Sequence, residues 1–411
     1  MIPMLAWRNI WRNRRRTLIT LSSISLGLIV AIFFICLGNG VYSQMVNDAA
    51  RTQAGHITIE NAEYHDAPAI DLWVNNATGL RQRIESEISG VKYTKLLVLG
   101  QGVAQTSANS IGAALIGVEP SVEIRTSPLP EKIVEGRYLE DTDKGQAVIG
   151  ADMARRLDLD IGKRLVITSN DSEGNLVNGL FRVVGIFKTG LMEANGYLVQ
   201  VPIGELRKLF VMPEGSATQL GAILADHGEV PLKQRQIESL LGESTAVART
   251  WEEVMPELAS YIELDESSNL IFQALLILLI LFTTFNTVLM SVIERRSEFA
   301  SLLALGTETR LLKAQVVMES VFLGLIGCAI GAGTGLWLSL WTKQTGIDMT
   351  AMSQGTTEVS GFSFSPVVHP EPNFWIVAGP ALLVFGATVL FSFLTLGRIR
   401  TDNIAGQLRA E

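Results

Sequence analysis

The sequence predicts a four-helix membrane protein with a large α+β domain inserted between its first and second spans. Three observations carry that reading. Four apolar stretches, 17–37, 270–293, 314–341 and 374–397, are each long enough to cross a hydrocarbon core of about 30 Å, which takes roughly 20 helical residues. Hydrophobic residues make up 48% of the chain while charged residues still reach 18%, so a soluble part must accompany the membrane part. Basic residues gather beside the span ends in a pattern that sets one topology.

Residues 1–16 form the first element, an elbow. Met4, Trp7, Ile10 and Trp11 recur at helical spacing, with Arg8, Asn9, Arg12 and Asn13 on the other side. That pattern suits a helix lying in the membrane interface, with Trp7, Trp11 and Arg12 as its anchors. Arg8, Arg12, Arg14, Arg15 and Arg16 precede the first span; Arg295, Arg296, Arg310 and Lys313 lie between the second and third; Arg398, Arg400 and Arg409 follow the fourth. Residues 342–373 hold Lys343 against Asp348, Glu358 and Glu371. Both termini and the 294–313 segment are therefore expected on the cytoplasmic side of a bacterial inner membrane, with 38–269 and the 342–373 loop outside. The first apolar core exceeds a signal-peptide h-region and Cys36 lacks a lipobox, so span 17–37 is expected to stay as an anchor. Cys36 and Cys328 both fall in spans, which leaves the outer domain without a disulfide.

The domain within 38–269 is expected to be entered and left through helical stalks. Residues 41–54 continue the first span without a breaker, and 250–269 form an acidic helix that Pro256 starts or kinks. Residues 56–60 alternate like a strand, while 77–88 place Leu80, Ile84 and Ile88 on one helix face. Similar strand, helix, strand patterns predict paired β-α-β units over about 55–119 and 214–250. Between them, 120–213 reads as a β-rich, barrel-like insertion with one short helix at 151–157.

Between the second and third spans, 293–314 reads as a charged amphipathic helix. Glu319 lies near one end of the third span, where snorkelling or a cap-like contact with this segment is favoured over ion transport. Gly327, Gly331 and Gly335 form a ladder at four-residue spacing that permits close helix packing, either within one subunit or across a dimer. His56, His65, His227 and His369 are scattered and make no HExxH pattern, and no GxSxG is present. Neither a metal site nor a catalytic role is expected.

These residues carry a resemblance. Glu294, Arg295, Glu298, Ala304, Leu305 and Gly306 reproduce the ER, three residues, E, then ALG spacing of the FtsX-like permeases, the group that includes the MacB exporter and the LolC and LolE lipoprotein-release subunits. LIGVEP, EGRYL, VIGADMARRL and VVGIF resemble that group's outer domain. The C-terminus departs from it, with Asn403 where a proline is usual. The resemblance implies a MacB-like type VII ABC permease architecture. It also implies a permease subunit that couples a partner ATPase to movement of the outer domain, with Glu294, Arg295, Glu298, Leu302, Ala304, Leu305 and Gly306 as the coupling surface.

No GxxxxGK[ST] loop is present, so ATP and Mg are expected in a partner ATPase dimer, with no cofactor on this chain. A second permease copy, identical or paralogous, and membrane lipids are expected partners; nucleic acid is not. Lipoprotein release, with a periplasmic carrier, is the leading function. Peptide, antibiotic or toxin export through an adaptor, and a scaffold that activates a wall hydrolase, are the alternatives.

Overall fold

The computed structural model describes residues 2–242, 244–349, 358–359, 362–363 and 367–395. The tail 398–411, with Asn403, and part of the 342–373 loop lie outside the described residues. In chain order the helices and strands are α1 (Ile2–Arg12), α2 (Arg14–Thr52), β1 (Ile57–Asn61), α3 (Ala77–Glu87), β2 (Val91–Gln105), β3 (Ser110–Val118), α4 (Pro120–Thr126), β4 (Ile133–Gly136), β5 (Gln146–Gly150), α5 (Ala151–Leu157), β6 (Arg164–Asn170), β7 (Leu176–Phe187), α6 (Met192–Tyr197), β8 (Leu198–Pro202), α7 (Ile203–Leu209), β9 (Gln219–Leu224), α8 (Val230–Leu241), β10 (Ala246–Thr250), α9 (Trp251–Val254), α10 (Pro256–Glu294), α11 (Arg296–Ala304), α12 (Thr309–Thr345) and α13 (Phe374–Thr395). They form two compact units: the chain up to Tyr42 with Leu264–Asp348 and the part from Val367 on, and Ser43–Glu263 with Met349–Pro366. The divisions at 42/43 and 263/264 fall inside α2 and inside α10.

In the first unit α2, α10, α12 and α13 are each long and apolar enough to cross a membrane. Their shared core gathers Ile24, Leu28, Ile32, Cys36, Ile280, Cys328 and Val384. The glycine ladder packs within the subunit. A Cβ on Gly327 would stand 2.9 Å from Ile24, one on Gly331 2.8 Å from Leu28, and one on Gly335 3.3 Å from Ile32. The first two are too close for any other residue without displacement, so the ladder is what lets α12 seat on α2. Ser25 uses that closeness to donate a hydrogen bond to the Gly327 carbonyl at 3.1 Å.

The second unit is built on one long bent strand. Residues 91–97 of β2 pair with β9, and residues 98–105 pair with β3. The first half completes an antiparallel sheet in the order β10-β1-β9-β2, whose crossovers are α3 and α8; these are the paired β-α-β units. The second half opens a closed barrel, β2-β3-β8-β5-β7-β6 and back to β2, with β4 added on β7. Closure leaves no free edge among those six strands. The barrel therefore takes in β3 and half of β2, upstream of the 120–213 boundary read from the sequence. Around it α4, α6 and α7 accompany α5, where one helix was expected. Each is six or seven residues, too short for a helical period to show. At the far end Pro256 starts α10, and α9 precedes it behind a capping box made by Thr250 and Glu253.

Candidate functional site

The segment between the second and third spans is two helices, where the sequence reading expected one. α10 ends at Glu294, Arg295 leaves helical geometry (φ −98°, ψ 14°), and α11 then runs only to Ala304. Thr309 already belongs to α12. The ALG signature explains the stop. The Thr307 amide donates to the Leu302 carbonyl and the Gly306 amide to the Leu303 carbonyl, each at 3.0 Å, the paired bonds of a Schellman cap. Gly306 sits at φ +89° with open space around it, so glycine is required there by backbone conformation.

The charges around this break are engaged over long sequence distances. Arg295 turns inward and is buried, and its guanidinium grips both carboxylate oxygens of Glu319 at 2.8 and 2.9 Å. Asn9 of α1 donates to the same carboxylate at 2.9 Å and Gln315 at 3.3 Å, so a buried charge is fully partnered. Arg295 also lies 4.9 Å over the Phe299 ring. Glu298 accepts from Arg12 and, at 3.2 Å, from Arg295; Arg16 reaches Glu294 at 3.3 Å. Partial burial disfavours charge on Glu298, yet the hydrogen bonds from Arg295 and Arg12 outweigh it and hold the carboxyl below its usual value. Beneath the charges Val292, Phe299, Leu312 and Val316 form a small apolar core. The result is a clasp in which α1, α2, α10, α11 and α12 meet.

The predicted coupling residues thus divide. Glu294, Arg295 and Glu298 bind the protein to itself. Leu302, Ala304, Leu305 and Gly306 are exposed, and Leu305 is 83% accessible at the tip of α11. On α1 the apolar stripe also divides. Ala6 and Ile10 are buried, whereas Met4, Trp7 and Trp11 are exposed. Trp7 packs edge-on against Trp11 at 6.0 Å and against Phe322 of α12 at 5.6 Å. The sequence reading placed Asn9 on the polar face of the elbow and Arg16 in the basic flank without their partners, and missed Gln315. Gln315 had a signal, its four-residue spacing to Glu319, whereas nothing local ties Asn9 or Arg16 to partners some three hundred residues away.

Within the second unit, the end of α2 is held by buried groups. Lys95 of β2 is enclosed and donates to the Arg51 carbonyl at 2.9 Å, capping the last turn of α2; burial lowers its pKa, partly offset by nearby Glu123. Arg51 in turn donates to the Thr126 carbonyl at 3.1 Å. His56 accepts from the Leu224 amide on Nδ1 at 3.1 Å, so its Nε2 carries the proton that is donated to Asn47 at 3.0 Å. Burial, then His227, pushes the His56 pKa down to about 4. His65 lies 3.8 Å from buried Glu60. Among the described residues no group of His, Cys, Asp or Glu has metal-site geometry.

Residues 17–240 match the model of the MacB-like periplasmic core domain, and residues 270–404 that of the FtsX-like permease C-terminal region. An uncharacterized ABC transporter permease of Methanocaldococcus jannaschii is 27% identical over 82% of this chain and 83% of its own length. The lipoprotein-releasing system transmembrane protein LolC of Neisseria meningitidis serogroup B is 22% identical over 78% of this chain and 76% of its own. The macrolide export ATP-binding/permease protein MacB of Bdellovibrio bacteriovorus is 21% identical over 87% of this chain but 56% of its own length.

Proposed function

The chain belongs to the FtsX/MacB/Lol-type family of ABC transporter permeases, and from that premise we propose that it is the permease subunit of a lipoprotein-release machine driven by a separate ATPase. The clasp around Arg295 carries this reading. It presents the exposed end of α11 as a docking surface and ties that helix to the two spans, α2 and α10, that continue into the core domain. A push on Leu302, Ala304 and Leu305 would then pass through Arg295 and Glu298 into α12, α1 and the long helices, with little lost in soft loops. In this reading the basic span ends and both termini face the cytoplasm, the core domain faces outward, and two permeases act with two ATPase subunits that hold the ATP and Mg. The lipoprotein assignment rests on the match to LolC over most of both lengths.

Affinity capture of the full chain in mild detergent, followed by mass spectrometry of retained protein and lipid, tests it. Acylated lipoprotein captured together with an ATPase supports release. A membrane-fusion adaptor or a wall hydrolase in place of acylated cargo would overturn the lipoprotein assignment while keeping the coupling one. Leu305→Glu should abolish most ATPase capture, because it places a charge on the apolar tip; unchanged capture would remove α11 as the docking surface.

A further inference from the structure

Beside the clasp, and sharing Arg16 and Glu294 with it, lies a second basic feature. An open pocket of about 400 Å3 lies between the start of α2 and the last turns of α10. Its polar lining includes Asn13, Arg15, Arg16 and Asn286, and its apolar lining Ile19 and Met290, with Glu294 at one edge. That opening is wide enough to admit a small polar headgroup.

Its charges do not cancel. Arg16 is engaged by Glu294 at 3.3 Å, whereas Arg15 makes no ion pair among the described residues. Two guanidinia against one carboxylate leave one positive charge, the complement of a phosphodiester bearing one negative charge. Asn286 makes the occupant more specific. Its amide is exposed on a face of α10 that is otherwise apolar, one turn from Phe282 on one side and from Met290 on the other, and it makes no side-chain hydrogen bond among the described residues. A lone amide facing hydrocarbon is unfavourable, so this level of the span calls for a polar partner. Ile19 and Met290, 58% and 53% exposed, flank the opening. They give methylene groups a surface beside the charged floor.

We infer that this pocket holds the headgroup of an anionic phospholipid, with Arg15, Arg16 and Asn286 on its phosphate and its acyl chains along Ile19 and Met290. The site lies in the leaflet on the side of the chain's termini, and basic pockets at that depth are where such headgroups are held. The inference rests on the reading of α2 and α10 as membrane spans and is independent of the cargo.

Native mass spectrometry of the full chain in detergent, titrated with phosphatidylglycerol or phosphatidylethanolamine, tests it. The wild type retains phosphatidylglycerol in preference. Arg15→Gln and Asn286→Leu each cut that retention at least threefold, and Glu294→Gln, which releases Arg16, raises it. Equal retention of the two lipids, or no difference among the variants, overturns the assignment. Displacement of phosphatidylglycerol by millimolar inorganic phosphate would make this a free-phosphate site and also overturn it. So would loss of dimer in Asn286→Leu with lipid retention unchanged, which would make the face a contact between copies. ATPase capture is read on the same samples. Its absence from a wild type that still prefers phosphatidylglycerol counts against α11 docking and leaves the lipid site standing.

Discussion

The start of α2 and its end are fastened by different chemistry. At the start, Arg16 and the neighbouring Arg12 of α1 reach Glu294 and Glu298 through partly exposed ion pairs around one buried pair, Arg295 with Glu319. At the end, Lys95 and His56 are enclosed and bond to a backbone carbonyl, a backbone amide and an asparagine. Exposed pairs are screened by salt and re-form after breaking, whereas buried hydrogen bonds hold one geometry. The difference separates a salt-sensitive joint among α1, α2 and α11 from a fixed grip within the core domain.

Removing Arg295 breaks this contrast most sharply. Arg295→Ala strands Glu319 in a buried site and should destabilise the first unit by about 3–5 kcal/mol, whereas Arg295→Met with Glu319→Leu recovers most of the loss. Thermal unfolding of the full chain in detergent measures both; a single-variant loss below about 1 kcal/mol would mean that the pair is solvated.

Acid probes the other end. His56 has its folded pKa depressed to about 4 by burial and by His227, so below the ordinary histidine value the unfolded chain binds a proton that the folded one refuses. Its contribution is complete above about pH 6.5 and is lost as pH falls toward about 4, a swing of roughly 3 kcal/mol. Urea unfolding at pH 7 and pH 4.5 should show this loss in the wild type and a flatter profile in His56→Gln; parallel profiles would remove His56 as the source.

Smaller effects sharpen the picture. Gly306→Ala keeps the space but forces a positive φ, and should weaken the α11 stop by about 1–2 kcal/mol; hydrogen exchange at the Gly306 and Thr307 amides reports it, and unaltered protection would contradict the cap. Smallest of all, a double-mutant cycle on Arg12 and Glu298 should give a coupling of about 0.2–1 kcal/mol that fades with salt. A salt-independent value would make this contact part of the rigid anchor instead.

Local signals were legible in the sequence and distant partners were not. The four spans follow from the length of their apolar runs and the twin β-α-β halves from periodicity, both of which depend on residues close in sequence. The ladder Gly327, Gly331 and Gly335 announced close packing, but only the structure shows α2 filling it. Glu294, Arg295 and Glu298 read as one charged face because they are adjacent in sequence. The bend at Arg295 sends them to three different helices, and no local pattern encodes that. The barrel boundary slipped for a related reason: β2 is one uninterrupted strand whose halves serve two sheets.

Asn9 and Glu319 are separated by 310 positions, which during synthesis is also an interval of time. At roughly 5–20 residues per second, α1 is made about 15–60 s before the carboxylate it will hold exists. Through that interval the elbow has no clasp to belong to, and Asn9 waits without the carboxylate it will bond. The first helix to be made is thus among the last to be fastened.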